Sequence, residues 1–177
     1  MDIGFIEELK NSPYEKKTYK YLDGKFWIEE KFVYKDNRID GEIRCGIQED
    51  RFWCGSVEVH IEIEKFKNEH HAGFGCLAVP ERIQRQGIGT KLMLSVIEEI
   101  KVFKDYYSIN DTVVISGWLS TEDKRNRNWE DSVPLYERVG TLANVECYFT
   151  INNDAAHYNA TTFLDTADDD GYILYMI

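Results

Sequence analysis

The 177-residue sequence has no run of 18 apolar residues, so nothing in it reads as a membrane-spanning helix. Its first stretch, MDIGFIEELK, carries acidic residues early and lacks an apolar core, which argues against a signal peptide and for a cytoplasmic protein. Linker composition, repeats and low-complexity tracts are also missing, and the expectation is one domain over residues 1–177. The four cysteines, at 45, 54, 76 and 147, show no C-x-x-C spacing and no histidine pair beside any two of them. A zinc site is therefore not expected, and no metal is; in a reducing compartment these cysteines read as small buried hydrophobes. Basic residues are outnumbered 32 to 21, for a net charge of -11, which disfavours a nucleic-acid backbone as partner and suits a cationic one. There is no nucleophile elbow and no coherent Ser, His and Asp constellation. What remains, 43% hydrophobic and 14% aromatic residues, is ample for a globular core.

The chemistry concentrates between Cys76 and Phe103, in CLAVPERIQRQGIGTKLMLSVIEEIKVF. Ile88, Leu92, Met93, Val96, Ile97, Ile100 and Phe103 recur at helical spacing, with Lys91, Glu98, Glu99, Lys101 and Lys104 on the other face. That is a helix of about four turns. Leu77 and Val79 form the end of a strand that Pro80 stops, since proline cannot donate to a sheet ladder. Between strand and helix lies Gln84-Arg85-Gln86-Gly87-Ile88-Gly89. The first amides of a helix are unpaired and partly positive, a ready anion site, and glycine lets an anion approach the backbone. Gly89-Thr90-Lys91 has the wrong order and spacing for a P-loop. The dinucleotide fingerprint fails too, because Leu92 stands where a third small residue is needed.

Val79, Gln84, Gly87 and Gly89 reproduce the spacing V-x(4)-Q/R-x-x-G-x-G/A, which resembles the pyrophosphate-binding motif of the GNAT superfamily. Downstream, Pro134-Leu135-Tyr136-Glu137-Arg138-Val139-Gly140 is similar to that family's tyrosine-bearing helix, in the same order and at a matching separation. The resemblance implies a mixed α/β (α+β) fold. Its sheet is largely antiparallel with a central parallel, splayed strand pair flanked by helices, here with a β-rich N-terminal half. It implies acetyl-CoA as co-substrate and an amine as acyl acceptor. It places the pyrophosphate on Arg85, Gln86, Gly87, Ile88, Gly89 and Thr90 after Gln84, and the pantetheine arm along Leu77, Ala78 and Val79. Asn128 takes the role of an asparagine before the tyrosine helix, one residue off the commonest spacing, and Tyr136 protonates the departing thiolate.

Elsewhere the residues predict a short helix over 2 to 10 and strands around 18 to 22, 26 to 34, 40 to 48, 52 to 64 and 71 to 79. Asp23-Gly24, Asp36-Asn37 and Glu49-Asp50 supply the turns. This meander departs from the family, which usually has two helices after its first strand. Glu58, His60, Glu62 and Glu64 line one face of the best-alternating strand, as a solvated face or as a source of the catalytic base. Glu58, His60 and His71 are the candidates. Gly73 and Gly75 suggest a bulge or close backbone approach in the next strand. Residues 111 to 119 read as a buried strand. The segment 120 to 131 reads as a charged loop whose Lys124, Arg125 and Arg127 are either solvated or phosphate contacts, joined by Arg82 beside the turn. Ser132 reads as an N-cap and Pro134 as the first turn of a short helix ending near Gly140. An antiparallel pair, 145 to 152 with 171 to 177, closes the chain around a polar loop, 153 to 170. The function expected is acetyl transfer to a primary amine, with a cationic acceptor (polyamine, aminoglycoside or peptide amine) favoured by the charge. A CoA-binding sensor without turnover and a protein-interaction module are the alternatives. No nucleic acid and no membrane is expected as partner, and a homodimer is left open.

Overall fold

The computed structural model describes residues 3–11, 16–22, 26–47, 53–152 and 154–177. The turns expected at Asp23-Gly24 and Glu49-Asp50 lie outside these. A short helix α1 (Ile3–Asn11) precedes four antiparallel strands, β1 (Lys16–Leu22), β2 (Phe26–Lys35), β3 (Arg38–Ile47) and β4 (Trp53–Glu62). The β2–β3 hairpin turns on Asp36 and Asn37, whose φ values of 50° and 63° are those of the primed turns that match strand twist. Then come α2 (Ile63–Glu69), β5 (His71–Ala78), α3 (Ile88–Tyr106), β6 (Val114–Leu119), α4 (Thr121–Arg125), α5 (Trp129–Ala143), β7 (Glu146–Ile151), α6 (Ala160–Thr166) and β8 (Gly171–Met176). The eight strands form one mixed sheet in the order β1-β2-β3-β4-β5-β6-β8-β7. The parallel pair is β5 with β6, and every other pairing is antiparallel, as the resemblance implied.

Alternation along the strands sends Phe32, Ile43, Val57, Val59, Ile61, Phe74, Ile115 and Ile173 to one face, where helices bury them. Phe5 of α1 packs edge-on against Phe32, Phe32 meets Phe103 of α3, and Phe74 meets Tyr136 of α5. On the opposite face stand Asp40, Glu58, His60, His71, Ser116, Trp118 and Tyr172, all partly or well exposed.

Several local expectations need correction. The strand from 52 runs only to Glu62; Ile63 to Glu69 coil into α2 because Ile63 and Phe66 turn inward against the end of α3, with Phe66 6.1 Å from Tyr107. Glu99 is buried rather than on a solvated face, since α1 packs against α3 from outside the sheet. The charged stretch 120 to 131 is not a loop: Ser120 caps α4 by accepting from the Asp123 amide, and α5 begins at Trp129. Ser132 is thus inside α5 rather than its cap, and the helix runs past Gly140 to a left-handed Asn144. Burial of Trp129 against Phe163, ring centroids 5.0 Å apart, pins the earlier start. Likewise 153 to 170 holds α6, capped by Asn159 accepting from Thr162 N at 2.8 Å and anchored by Phe163. Among the described residues no helix is long and apolar enough to cross a membrane.

Candidate active site

The parallel strands run together only briefly. His71, Ala72, Gly73 and Phe74 pair with Val114, Ile115, Ser116 and Gly117, after which β5 continues to Ala78 and β6 to Leu119 without pairing to each other. The fork is wedged by Phe74, whose ring occupies the space over Gly117. On its other edge β5 carries a bulge: Glu58 faces Gly75 and Ser56 faces Ala78, so Cys76 and Leu77 share one place and Cys76 takes a left-handed φ of 50°. The backbone beyond Phe74 therefore offers amides and carbonyls along an edge with no strand beside it.

This fork opens into a cleft of about 850 Å³. Its floor is Phe74 to Val79, and one wall is the start of α3 with Gln84, Arg85, Gly87, Ile88, Gly89 and Thr90. The other wall comes from Trp118, Asp123 and Asn128 together with Leu135, Tyr136 and Arg138 of α5. Of the cofactor-binding residues expected from the sequence, all but Gln86 line it. The two glycines at the helix start serve different ends. Gly87 caps α3 with φ +79°, and a Cβ there would meet nothing within 4 Å. Gly89 is buried, and its Cβ would stand 3.0 Å from Leu135 Cδ1, so its lack of a side chain admits α5 rather than a ligand. The first intrahelical bond is Lys91 N–H to Gly87 O, leaving the Ile88, Gly89 and Thr90 amides free of helix partners and facing the cleft. Gln84 donates to Val79 O at 3.0 Å and ties turn to strand end. Open space before positive amides, next to an unpaired strand edge, fits an elongated ligand with an anionic end and an amide-bearing arm, which is the form of CoA.

Tyr136 is buried, with its ring 5.8 Å from Phe74 at the base of the fork. Its backbone carbonyl accepts from the Tyr175 hydroxyl at 3.0 Å, which fixes the turn of α5 that presents it. Burial, with the Asp123 charge adding, pushes its phenol well above the usual range. Asp123 is held by Ser120 Oγ and by Asn128 Nδ2, both at 3.1 Å.

None of the three base candidates lines the cleft directly. Glu58 and His60 project from β4 on the face away from the helices. The Glu58 carboxylate holds the Cys76 thiol above its ordinary value, and Cys76 does line the cleft. His60 Nδ1 lies 3.0 Å from Asp40 Oδ1, and its Nε2 lies 3.5 Å from Glu58 Oε2. His71 sits at the closed end of the fork with Nε2 2.8 Å from Ser116 Oγ, and burial lowers its pKa. The cations also sort differently from expectation. Arg127 pairs with Glu130 through two bonds of 2.9 Å, and Lys124 donates to Ala167 O and Asp168. Arg82 is outside the lining, Arg85 is in it, and Arg138 joins it through α5. The acidic C-terminal stretch is partly structural, with Asp170 accepting from the Thr121 amide at 2.7 Å and Asp154 from Tyr158 and the Ala156 amide. Trp118, Asp123 and Cys76 had no sequence signal, because their places depend on where β6 leaves β5 and where the bulge falls. Among the described residues no group of three or more His, Cys, Asp and Glu side chains is placed to hold a metal ion.

Solved structures resembling the chain include diaminobutyrate acetyltransferase EctA of Paenibacillus lautus, at 11% identity over 76% of this chain and 68% of that one, TM-score 0.43. Nourseothricin acetyltransferase matches at 13% identity over 100% and 94%, TM-score 0.46. The spermidine/spermine N-acetyltransferase SpeG of Vibrio cholerae matches at 14% identity over 99% and 87%, TM-score 0.41. No curated protein matches the sequence. The sequence model of the acetyltransferase (GNAT) family matches residues 4–113, well over half of the chain and including β5, the glycine turn and α3. The chain belongs to the acetyltransferase (GNAT) family, and is an acyltransferase.

Proposed function

We propose that the protein transfers an acetyl group directly from acetyl-CoA to a primary amine, with both held at the fork of β5 and β6. The observation that supports this most is the fork itself. It joins an unpaired strand edge, a helix N-terminus and a buried phenol in one cleft of about 850 Å³. In this reading the Ile88, Gly89 and Thr90 amides hold the pyrophosphate, with Arg85 and Arg138 supplying positive charge. The backbone from Gly75 to Val79 hydrogen-bonds the pantetheine and, at the bulge, polarises the thioester carbonyl. Holding amine and thioester together provides much of the acceleration. The neutral amine attacks the carbonyl carbon, the tetrahedral intermediate collapses with loss of thiolate, and Tyr136 returns a proton to that sulfur.

The amine's proton goes to Glu58, which stands opposite Gly75 at the bulge and is joined behind by His60 and Asp40. Glu58 is favoured over His71, which burial keeps neutral but which sits at the closed end of the fork bonded to Ser116. The acceptor is a cation, drawn by the net charge of -11. A thiol-release assay over an amine panel tests the reading. Glu58→Gln should lower kcat by about 10²- to 10⁴-fold while CoA binding holds, and wild-type kcat/KM should fall with salt as exposed charges are screened. Retained CoA binding with no thiol release on any amine would point to a sensor instead.

A further inference from the structure

Most exposed residues on the face away from the helices are charged, but two large aromatics stand there side by side. Trp118 is 63% exposed and Tyr172 41%, and they are direct cross-strand partners on β6 and β8. Trp118 is the first residue of β6 beyond its last pairing with β5, so its side chain stands at the fork. Across from it β5 presents Gly73 and Gly75, with His71 farther back at the closed end of the fork. Side chains added there would meet nothing nearer than 3.9 Å, the Gly75 neighbour being His60 Nε2. The result is a trough floored by glycine, with Glu58, His60 and Asp40 along one side and Trp118 and Tyr172 along the other.

Asp170, which accepts from the Thr121 amide at 2.7 Å, lies beside the Trp118 indole. Arg125 lies beyond the indole, in a separate hollow of about 590 Å³ that Trp118 also borders, where Asp170 opposes its charge. An exposed indole face beside a second aromatic ring, with carboxylates on both sides, is built for an organic cation. We propose that Trp118 and Tyr172 bind a second ammonium group of the acceptor, about one short aliphatic spacer from the amine that is acetylated. The acceptor class is thus a diamine or longer polyamine. This rests on the acetyltransferase reading for the identity of the bound cation as acceptor, while the cation site itself does not.

The test uses the full chain with 5-fluorotryptophan at its four tryptophans, the Trp118 resonance being assigned by its loss in Trp118→Phe. Titration with 1,4-diaminobutane should move that resonance, whereas 1,4-butanediol should not. In the thiol-release assay, Trp118→Leu should raise KM for 1,4-diaminobutane roughly 3- to 30-fold, the worth of a cation–π contact, with kcat within about twofold. With butylamine, which has no second ammonium, the substitution should raise KM several-fold less than with the diamine. A resonance indifferent to the diamine, or equal KM changes for both amines, would overturn the proposal. A resonance that moves with protein concentration, and a dimer that Trp118→Leu dissociates, would overturn it in favour of a subunit interface. A diamine-sensitive Trp118 without thiol release from any amine would refute the transferase reading and uphold the cation site.

Discussion

Substitution of Gly87 separates two reasons for a glycine that coincide in the sequence motif. Its φ of +79° is left-handed, yet a Cβ there would meet nothing within 4 Å. Alanine therefore suffers no clash and bears only the conformational cost, about 1–2 kcal/mol. For a chain of this size that lowers Tm by roughly 2–8 °C. Asparagine tolerates the left-handed region, so Gly87→Asn should keep Tm within about 2 °C of wild type. Its side chain, however, fills the open space in front of the Ile88 to Thr90 amides. Saturating CoA at a hundred times Kd stabilises the wild type by about 2.7 kcal/mol, roughly 5–11 °C in Tm, and Gly87→Asn should lose most of that shift. Gly89→Ala gives the contrast. Its methyl group points at the flexible end of Leu135 and not into the cleft, so the CoA shift should survive. Differential scanning fluorimetry with and without CoA measures all three. A full CoA shift in Gly87→Asn would refute the placement of the pyrophosphate on this turn. An unchanged Tm in Gly87→Ala would refute the backbone argument.

Tyr136→Phe keeps the ring against Phe74 and removes only the donor, so CoA affinity should hold while kcat drops about 10²- to 10⁴-fold on an acceptor for which chemistry is limiting. A near-normal kcat would reduce Tyr136 to packing. Gly117→Ala should destabilise by about 1–3 kcal/mol, because the new methyl group would stand 2.7 Å from two carbons of the Phe74 ring, which Tyr136 and Tyr175 hold in place; a wild-type melting curve would show that the fork can open. Burial holds the Tyr107 phenol up at about 12 against its ordinary 10, and raises Tyr136 and Tyr175 as well. A raised phenol contributes stability that is intact below pH 10 and lost as pH climbs from 10 through 12. Tm should therefore be level from pH 8 to 9.5 and fall above 10, less steeply in Tyr107→Phe; equal slopes would assign the loss elsewhere.

How far the sequence reaches depends on the range of the interactions involved. The strand, glycine turn and amphipathic helix from Cys76 to Phe103 were legible because each is specified by near neighbours: periodic apolar residues, a proline stop and a left-handed glycine. The β2–β3 hairpin was legible for the same reason, through Asp36 and Asn37. The cleft wall from Gln84 to Thr90 followed, since it is one contiguous stretch.

Errors arose where a distant partner decided the local conformation. Ile63 continues the strand pattern in sequence, yet packing of Phe66 on Tyr107 turns the chain into α2. Trp129 sits in a charged segment, yet its burial against Phe163 starts α5 three residues before the apparent cap at Ser132. Lys124 and Arg127 were open to a phosphate until folding set Asp168 and Glu130 beside them. The fork is the clearest case. Nothing local to Phe74 or Gly117 says that β5 and β6 part after them, because that follows from a ring on one strand filling the space above a glycine on the other. By itself the sequence determined the family and the strand, glycine turn and helix that carry its motif. Only the tertiary structure decided which residues share the sheet face away from the helices, because a sheet face is assembled from strands far apart in the chain, and their alternation and register bring Asp40, Glu58, His60, Trp118 and Tyr172 together there.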